Sequence, residues 1–247
     1  MPSPQPSPQS GLGLRRRPPR PRRRLAALTG GALILILLAA AAWWFLWVPH
    51  ARPSLETGEV HGIDVSNHQE EIDWHSVGDD GIGAAMIKAT EGDDYQDPRF
   101  QENWTRSAEA GVLRGAYHFF TLCSPGDRQA ENFLAAAPPD DEALPPAIDL
   151  ELIGACEERP PRSVVSQELE DFRQAVEEAW GRPLLVYARG DFRSAYDLGK
   201  LESNPRWVTH FFIRPRDDAW TVWQIHYVAR VDGIDGGVDL DVFRLDD

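Results

Sequence analysis

The feature that most constrains this chain is an uncharged run of 24 residues, 25–48, close to its N-terminus. As a helix, this run would measure about 36 Å, enough to cross the roughly 30 Å hydrocarbon core of a bilayer. Seven arginines precede it, and no acidic residue occurs before Glu56. Because positively charged flanks stay on the cytoplasmic side of a membrane, the sequence predicts a transmembrane helix over residues 25–48, with everything that follows outside the cytoplasm.

A second interpretation of the same run is a signal peptide that is removed by cleavage. Residues 39–42 are four consecutive alanines, a small-residue pattern of the kind signal peptidase accepts. The run is longer than the roughly 7 to 15 apolar residues of a usual signal peptide, which favours a retained anchor. The residues after the alanines would suit the aromatic belt at the far membrane interface: Trp43, Trp44, Phe45 and Trp47.

The position of the apolar run divides the chain into four regions. Residues 1–24 are rich in Pro, Ser and Arg, and we expect a disordered cytoplasmic tail there. Residues 49–59 are predicted to be a linker, and residues 60–247 are long enough for one sizeable core but not for two. The expected location is the cell membrane, as a single-pass protein with its folded domain outside, or the exterior as a secreted protein if cleavage occurs.

The charge distribution disfavours nucleic acid as a partner. Eight of the 25 basic residues precede Pro53 and none of the 39 acidic residues does, so the rest of the chain has a formal charge of −22. Such a surface repels phosphate backbones.

Export also affects how the two cysteines are interpreted. Cys123 and Cys156 would lie in an oxidising compartment, and each follows a predicted strand in loops that a barrel would place side by side. We therefore expect a disulfide between them. The alternative is two unrelated thiols, neither of which lies in a nucleophile motif.

Short β-rich segments alternate with helical segments after residue 59, which is typical of parallel strands joined by crossover helices. Strands are predicted over residues 60–66, 84–90, 113–120, 146–151, 184–188, 207–213, 219–225 and 238–243. Helices are predicted over residues 73–77, 100–110, 125–137 and 163–180. Eight strands with so few helices predict an α/β fold, a barrel whose last part lacks crossover helices.

Two carboxylates at the end of one strand form the sharpest site motif. In the segment 147–151 a period of two places Asp149 and Glu151 on one face, and the apolar residues between them on the other. Asp64 and Asp239 repeat this pattern on the first and last strands. Like charges brought together raise at least one pKa, which leaves a protonated acid beside an ionised carboxylate, the pair that glycosidic cleavage requires. Metal binding by the same acids is the rival interpretation, but no ligand spacing supports it, and we expect no metal and no cofactor.

Further polar and aromatic residues stand at the carboxyl ends of the predicted strands, where active sites of such barrels lie. The polar ones are Lys88, Glu91 and Gln224. Aromatic candidates for stacking on sugar rings are Tyr117, Phe119, Tyr187, Trp207 and Trp223, with burial in the core as the alternative for about half of them. His118 is expected to be a structural hydrogen-bonding residue rather than a base.

Taken in order, these motifs resemble the glycoside hydrolase family 25 lysozymes over nearly the whole segment 61–243. The matching residues are Gly62-Ile63-Asp64-Val65-Ser66, Gln69, Asp73-Trp74, Ile87-Lys88-Ala89-Thr90-Glu91-Gly92, Tyr95, Asp97, Phe100, Gly115-Ala116-Tyr117-His118-Phe119, Ile148-Asp149-Leu150-Glu151, Trp223-Gln224 and Val238-Asp239-Leu240. Departures are Ile225-His226 after the Trp-Gln pair, Asp241 where the family often has Asn, and a loose match over residues 207–212.

The resemblance implies an irregular TIM-like barrel of five β/α units and three further strands. It implies an N-acetylmuramidase that cuts the β-1,4 bond between N-acetylmuramic acid and N-acetylglucosamine in peptidoglycan. Glu151 would be the general acid, Asp149 would stabilise or orient the substrate, and Asp64 and Asp239 would complete the acidic cluster. Attack by the substrate's own N-acetyl group and attack by an enzyme carboxylate both stay open.

Substrate contacts are expected from Tyr117, Tyr187, Trp223, Gln224, Lys88 and Glu91. The expected partners are peptidoglycan strands and the membrane, and the chain is expected to be a monomer. A catalytically idle envelope protein that binds peptidoglycan through the same groove is the competing hypothesis.

Overall fold

The computed structural model describes residues 21–154 and 156–245, with side chains from residue 28 onward. The tail predicted for residues 1–24 lies outside the described residues up to residue 20, and residues 21–24 belong to a helix. The chain forms two compact units that meet between Leu46 and Trp47. We describe each unit separately.

The first unit contains one long apolar helix, α1 (Pro21–Leu46). The segment Leu28–His50 has a mean hydropathy of 2.3 and is long and apolar enough to cross a membrane. A signal sequence near an N-terminus can have the same length and composition.

The second unit is a closed barrel. Its strands are β1 (Glu59–Val65), β2 (Ile82–Glu91), β3 (Tyr95–Gln96), β4 (Leu113–Phe119), β5 (Ala147–Leu150), β6 (Leu185–Ala188), β7 (Arg206–Thr209), β8 (Trp220–Ala229) and β9 (Val238–Arg244). Its helices are α2 (Trp74–Asp79), α3 (Phe100–Glu109), α4 (Gly126–Ala136), α5 (Arg162–Trp180) and α6 (Gly190–Ala195). Short 3-10 helices cover Val48–His50, Asn67–Gln69 and Gly199–Ser203.

Strand pairing confirms the predicted architecture. The order is β1-β9-β8-β7-β6-β5-β4-β2, and β1 also pairs with β2, which closes the sheet. Seven of these eight strands run parallel, and β9 is antiparallel to both of its neighbours. Helices α2 to α6 follow β1, β2, β4, β5 and β6, which gives five β/α units and three further strands. β3 is a two-residue extension on the edge of β2.

The structure differs from the predicted elements at α6, which was not predicted, and after β7, where the strand ends at Thr209 rather than at residue 213. The apolar run that follows has strand-like composition, but Phe212 adopts a positive φ of 53° and the chain leaves the sheet. The backbone carbonyl of His210 accepts a hydrogen bond from Trp223 Nε1 at 2.8 Å, so this segment folds back against β8. A tertiary contact therefore overrides a local β preference.

Two apolar layers hold the barrel together. The outer layer packs the helices on the sheet and includes Ile63, Ile148 and Leu240, all fully buried. The inner layer fills one half of the barrel interior and includes Met86, Leu185 and Phe243. Its packing is close enough that a Cβ at Gly62 would lie 2.2 Å from the Phe243 ring, so only glycine fits there.

The segment predicted to be a linker packs against the surface of the barrel. We call residues 47–58 the strap. The Pro49 carbonyl accepts a hydrogen bond from the Arg230 backbone N–H at 2.8 Å, and the Pro53 carbonyl lies 2.9 Å from His61 Nε2. Val48 is fully buried. Residue 59, assigned to the linker by sequence, is the first residue of β1.

The expected disulfide is confirmed. Cys123 in the loop after β4 is bonded to Cys156 in the loop after β5, 33 residues later in the sequence. The loop after β5 also provides Ile153 to the cleft described below. The disulfide therefore ties together two loops at the carboxyl ends of neighbouring strands.

Replacing both cysteines with serine should lower the free energy of unfolding by about 2–4 kcal/mol, because the cross-link restricts the unfolded chain over a loop of this size. Urea denaturation of the full chain in detergent, followed by tryptophan fluorescence, measures the change. An unaltered midpoint would show that the cross-link adds nothing to stability.

Candidate active site

Strand alternation directs acidic side chains into the open half of the barrel. On β5, Ile148 and Leu150 pack in the outer layer, so Asp149 points inward. On β1, Ile63 and Val65 pack outward, and Asp64 points inward. β9 follows the same rule and presents Asp239 and Asp241 to the interior. The predicted alternation is therefore present on all three strands.

These side chains line a cleft of about 300 Å³. Its floor consists of Tyr117, Tyr187 and Trp207, which also belong to the inner apolar layer. The ring centroid of Trp207 lies 5.3 Å from that of Tyr187 and 6.2 Å from that of Tyr117, both edge to face. The full lining is Asp64, Val65, Ser66, His68, Gln69, Lys88, Tyr117, Phe119, Asp149, Glu151, Ile153, Tyr187, Trp207, Gln224 and Asp239.

A carboxyl cluster lies where β1 meets β9. Asp64 and Asp239 are opposite each other in the antiparallel pairing, and Gly62 is opposite Asp241. Gln224 Nε2 donates a hydrogen bond of 3.0 Å to Asp64 Oδ2. Trp207 Nε1 donates one of 3.1 Å to Oδ1 of Asp241, which is completely buried. Neutral donors thus satisfy part of the cluster without supplying a positive charge.

Burial and mutual repulsion raise the pKa values of this cluster. Burial is the main cause for Asp64, and the charges of Asp239 and Asp241 raise its pKa further. Burial also raises the pKa of Asp241 well above its ordinary value, and that of Asp239 to about 6. A hydrogen bond between the Asp64 and Asp239 carboxyls raises the pKa of Asp64 and lowers that of Asp239. This interaction therefore favours protonation of Asp64 over protonation of Asp239.

The β5 pair has different surroundings. Burial, followed by repulsion from Glu151, raises the pKa of Asp149 well above its ordinary value, and Lys88 opposes the shift. Asp149 Oδ1 is buried and has no hydrogen-bond partner among the described residues. Burial also raises the pKa of Glu151, whereas Arg189, with Nη1 3.1 Å from Glu151 Oε2, lowers it. The two acids therefore influence each other, and among the described residues Glu151 alone of the two has a cationic partner in contact.

A cation, Lys88 on β2, lines the cleft two strands away from β5. Lys88 Nζ lies 2.6 Å from Glu91 Oε2 and 4.8 Å from the centroid of the Phe119 ring. The ion pair and the ring hold the ammonium group at the cleft while its charge stays partly exposed. Glu91 reaches the cleft only through Lys88.

Most residues predicted for the site converge on this cleft, but Trp223 does not. Its side chain points outward into the outer apolar layer and is only 1% exposed, so it offers no surface to a ligand. Trp207 takes the place at the floor that was expected of Trp223. His118 is a buried structural residue: its ring nitrogens contact Thr90 Oγ1 at 2.7 Å and Gln129 Oε1 at 3.1 Å, and burial lowers its pKa to about 3.

Two functional residues were not identified from the sequence. Arg189 directly follows the predicted strand 184–188, so its position at a strand end was the available signal. Asp241 was noted only as a departure from the family pattern. Asp241 is two residues after Asp239 on the same strand, and this spacing was the signal that its side chain also points into the barrel interior.

A closed barrel with paired carboxyls at the carboxyl ends of its parallel strands has the architecture of a glycoside hydrolase. The profile of the family described as Glycosyl hydrolases family 25 matches residues 63–234. The chain therefore belongs to this family, as its motifs indicated, and it is a glycosidase.

Individual relatives agree with the family match. The Escherichia coli (strain K12) protein YegX is 39% identical over 193 residues, which cover 75% of this chain and 70% of YegX. Lysozyme M1 of Streptomyces globisporus is 33% identical over 203 residues, covering 76% and 69%. The structure of a family 25 glycosyl hydrolase from Bacillus anthracis superimposes with a TM-score of 0.70 at 31% identity, covering 78% of this chain and 93% of that one.

The raised carboxyl pKa values predict a stability that falls as pH rises. A carboxyl with a raised pKa keeps its proton in the folded state above pH 4, where the unfolded chain has released it, so unfolding becomes easier with increasing pH. Each unit of elevation corresponds to about 1.4 kcal/mol. Asp241→Asn removes one such group and should raise the urea midpoint at pH 8 more than at pH 5. The exposed Asp141→Asn is the matched control, and equal effects of the two variants would contradict this electrostatic account.

Proposed function

We propose that this glycosidase is a lysozyme-type N-acetylmuramidase, anchored in the membrane, that hydrolyses the β-1,4 bond between N-acetylmuramic acid and N-acetylglucosamine in peptidoglycan. The observation that supports this most directly is the inward pair Asp149 and Glu151 at the end of β5, in a cleft that also contains Asp64 and Asp239. The similarity to Lysozyme M1 of Streptomyces globisporus supports the same substrate class.

Glu151 is the proposed general acid. Its burial favours the protonated form, which is the form that must give a proton to the leaving oxygen of the glycosidic bond. Once that proton has left, Arg189 lies in contact with the carboxylate that results. Arg189 thus compensates the charge that appears on Glu151 during the reaction.

Asp149 is proposed to act on the reacting sugar. Asp149 lines the cleft, where its carboxyl group can accept a hydrogen bond from the N–H of a substrate acetamido group. Such a contact would orient the acetamido oxygen for attack on the anomeric carbon, which supports the internal-nucleophile route over direct attack by a carboxylate. Asp64 and Asp239 are proposed to hold the sugar from the opposite side.

The remaining lining residues are proposed to bind the glycan. Tyr117, Tyr187 and Trp207 give the cleft an aromatic floor on which apolar sugar faces can pack. Gln224 and Lys88 provide hydrogen-bond donors at its rim. Because one chain supplies every residue of this lining, a monomer suffices for the reaction.

Glu151→Gln should lower kcat on purified peptidoglycan by about 10²–10⁴-fold, because the amide cannot transfer a proton. The matched control is the exposed Glu142→Gln, which should retain parental activity. Mass spectrometry of the released fragments should show reducing N-acetylmuramic acid ends.

Cleavage by Glu151→Gln at the parental rate would contradict the role given to Glu151. Binding of peptidoglycan by the parental chain without release of fragments would instead identify an idle binding protein. Activity on another glycan but none on cell walls would contradict the substrate class.

The membrane anchor is proposed from α1. The length and hydropathy of the segment Leu28–His50, with arginines before it, support a retained single-pass helix that leaves the barrel outside the cytoplasm.

In cell fractionation, the full-length chain should therefore stay with membranes through high-salt and alkaline washes, since an apolar helix is held by the bilayer core rather than by charge. N-terminal analysis should find the segment before residue 39 intact. A soluble product that begins after the alanines would identify a cleaved signal peptide.

A further inference from the structure

Very few residues connect the end of α1 to the first buried residue of the barrel unit. α1 ends at Leu46, and Val48 is already fully buried in the barrel unit, where the 3-10 helix Val48–His50 contacts β8. Covalent geometry limits two residues to about 7 Å. A bilayer that contains α1 therefore comes close to whatever surface of the barrel unit surrounds the start of the strap.

An exposed apolar patch lies beside that point. We define the patch as Phe211, Ile213 and Tyr227, which are 43%, 67% and 66% exposed. The ring centroids of Phe211 and Tyr227 are 6.5 Å apart, so the two segments present one surface. Large apolar side chains clustered on the surface of a folded protein are characteristic of interaction sites.

Direct contacts join the patch to the strap. Phe212, between two patch residues, stacks on the His226 ring with centroids 4.8 Å apart. His226 Nε2 lies 3.2 Å from the carbonyl oxygen of Ala51, and the Arg230 backbone N–H binds the Pro49 carbonyl. The patch and the start of the strap are thus neighbouring parts of one rigid surface.

The charge of this surface differs from that of the rest of the barrel. The residues after Pro53 have a formal charge of −22, yet the segments 47–55, 205–216 and 219–230 contain no acidic residue. Three acids beside these segments are paired with arginines in them: Asp80 with Arg52, Glu59 with Arg214, and Asp217 with Arg206. Asp218 is exposed and lies 3.8 Å from Arg244 of β9. Two further arginines of these segments, Arg216 and Arg230, are exposed.

We infer that the apolar patch docks on the phospholipid bilayer that holds α1, with Phe211, Ile213 and Tyr227 among the headgroups and Arg216 and Arg230 at the lipid phosphates. This inference rests on the proposed anchor. Aromatic and aliphatic side chains beside arginines are the composition that favours a membrane interface. The barrel is then held on the membrane surface and does not move freely on a flexible linker. Its active site can therefore contact only glycan strands next to the membrane.

The test uses the full chain in vesicles of phosphatidylcholine and phosphatidylglycerol that contain doxyl-labelled lipid. A fluorophore is attached to a cysteine introduced by Ile213→Cys or Tyr227→Cys, with the native disulfide kept oxidised. The control is Val164→Cys on α5, which is 43% exposed, like Phe211. Fluorescence at positions 213 and 227 should be strongly quenched, and that at position 164 should not. Equal quenching at all three positions would overturn the inference.

Arginine substitution tests the electrostatic part. Arg216→Glu combined with Arg230→Glu should reduce the quenching at position 213 in phosphatidylglycerol vesicles, while hydrolysis of soluble glycan fragments is unchanged and shows that the fold is intact. Quenching that does not respond to this change would overturn the role of the two arginines.

Alkaline extraction of the same vesicles separates this inference from the proposal on which it rests. If the chain is released, both the anchor and the docking surface are wrong. If the chain stays in the vesicles and positions 213 and 227 are unquenched, the anchor stands and the docking surface alone is wrong. Muramidase activity is assayed independently and depends on neither result.

Discussion

Closure of the sheet is the constraint on which the rest of this structure depends. In an open sheet, inward-pointing acids could reach solvent, but pairing of β1 with both β2 and β9 leaves one enclosed space for every inward side chain. Asp64, Asp149, Asp239 and Asp241 must share that space. Desolvation then raises their pKa values together, which favours the protonated forms of these carboxyls.

The barrel tolerates this cluster because its other half is apolar and closely packed. Met86, Leu185 and Phe243 fill that half, and the rings of Tyr117, Tyr187 and Trp207 separate it from the cleft. The indole N–H of Trp207 donates a hydrogen bond to Asp241. The aromatic floor therefore has two roles, since it completes the core below and supplies hydrogen bonds and packing surface above.

The chemistry of the cleft is asymmetric. The acids of β1 and β9 are bonded mainly to one another and to neutral donors, whereas Glu151 contacts Arg189 and Asp149 lies within the influence of Lys88. Two acids that interact with each other thus face an acid whose ionised form is compensated by an arginine. These different surroundings agree with the different roles that we propose for the carboxyl groups.

Local periodicity determined much of this protein. The barrel class followed from β-rich segments that alternate with helical segments. The inward faces of Asp64, Asp149 and Asp239 followed from the period of two in a strand, which depends only on backbone geometry. The disulfide followed from loops at neighbouring strand ends. Only the tertiary structure decided that Trp223 faces outward while Trp207 forms the floor, that the run after Thr209 leaves the sheet, and that the strap packs on the barrel. These outcomes depend on contacts between residues far apart in sequence. When both faces of a strand are apolar, its local sequence does not indicate which face a distant segment will cover.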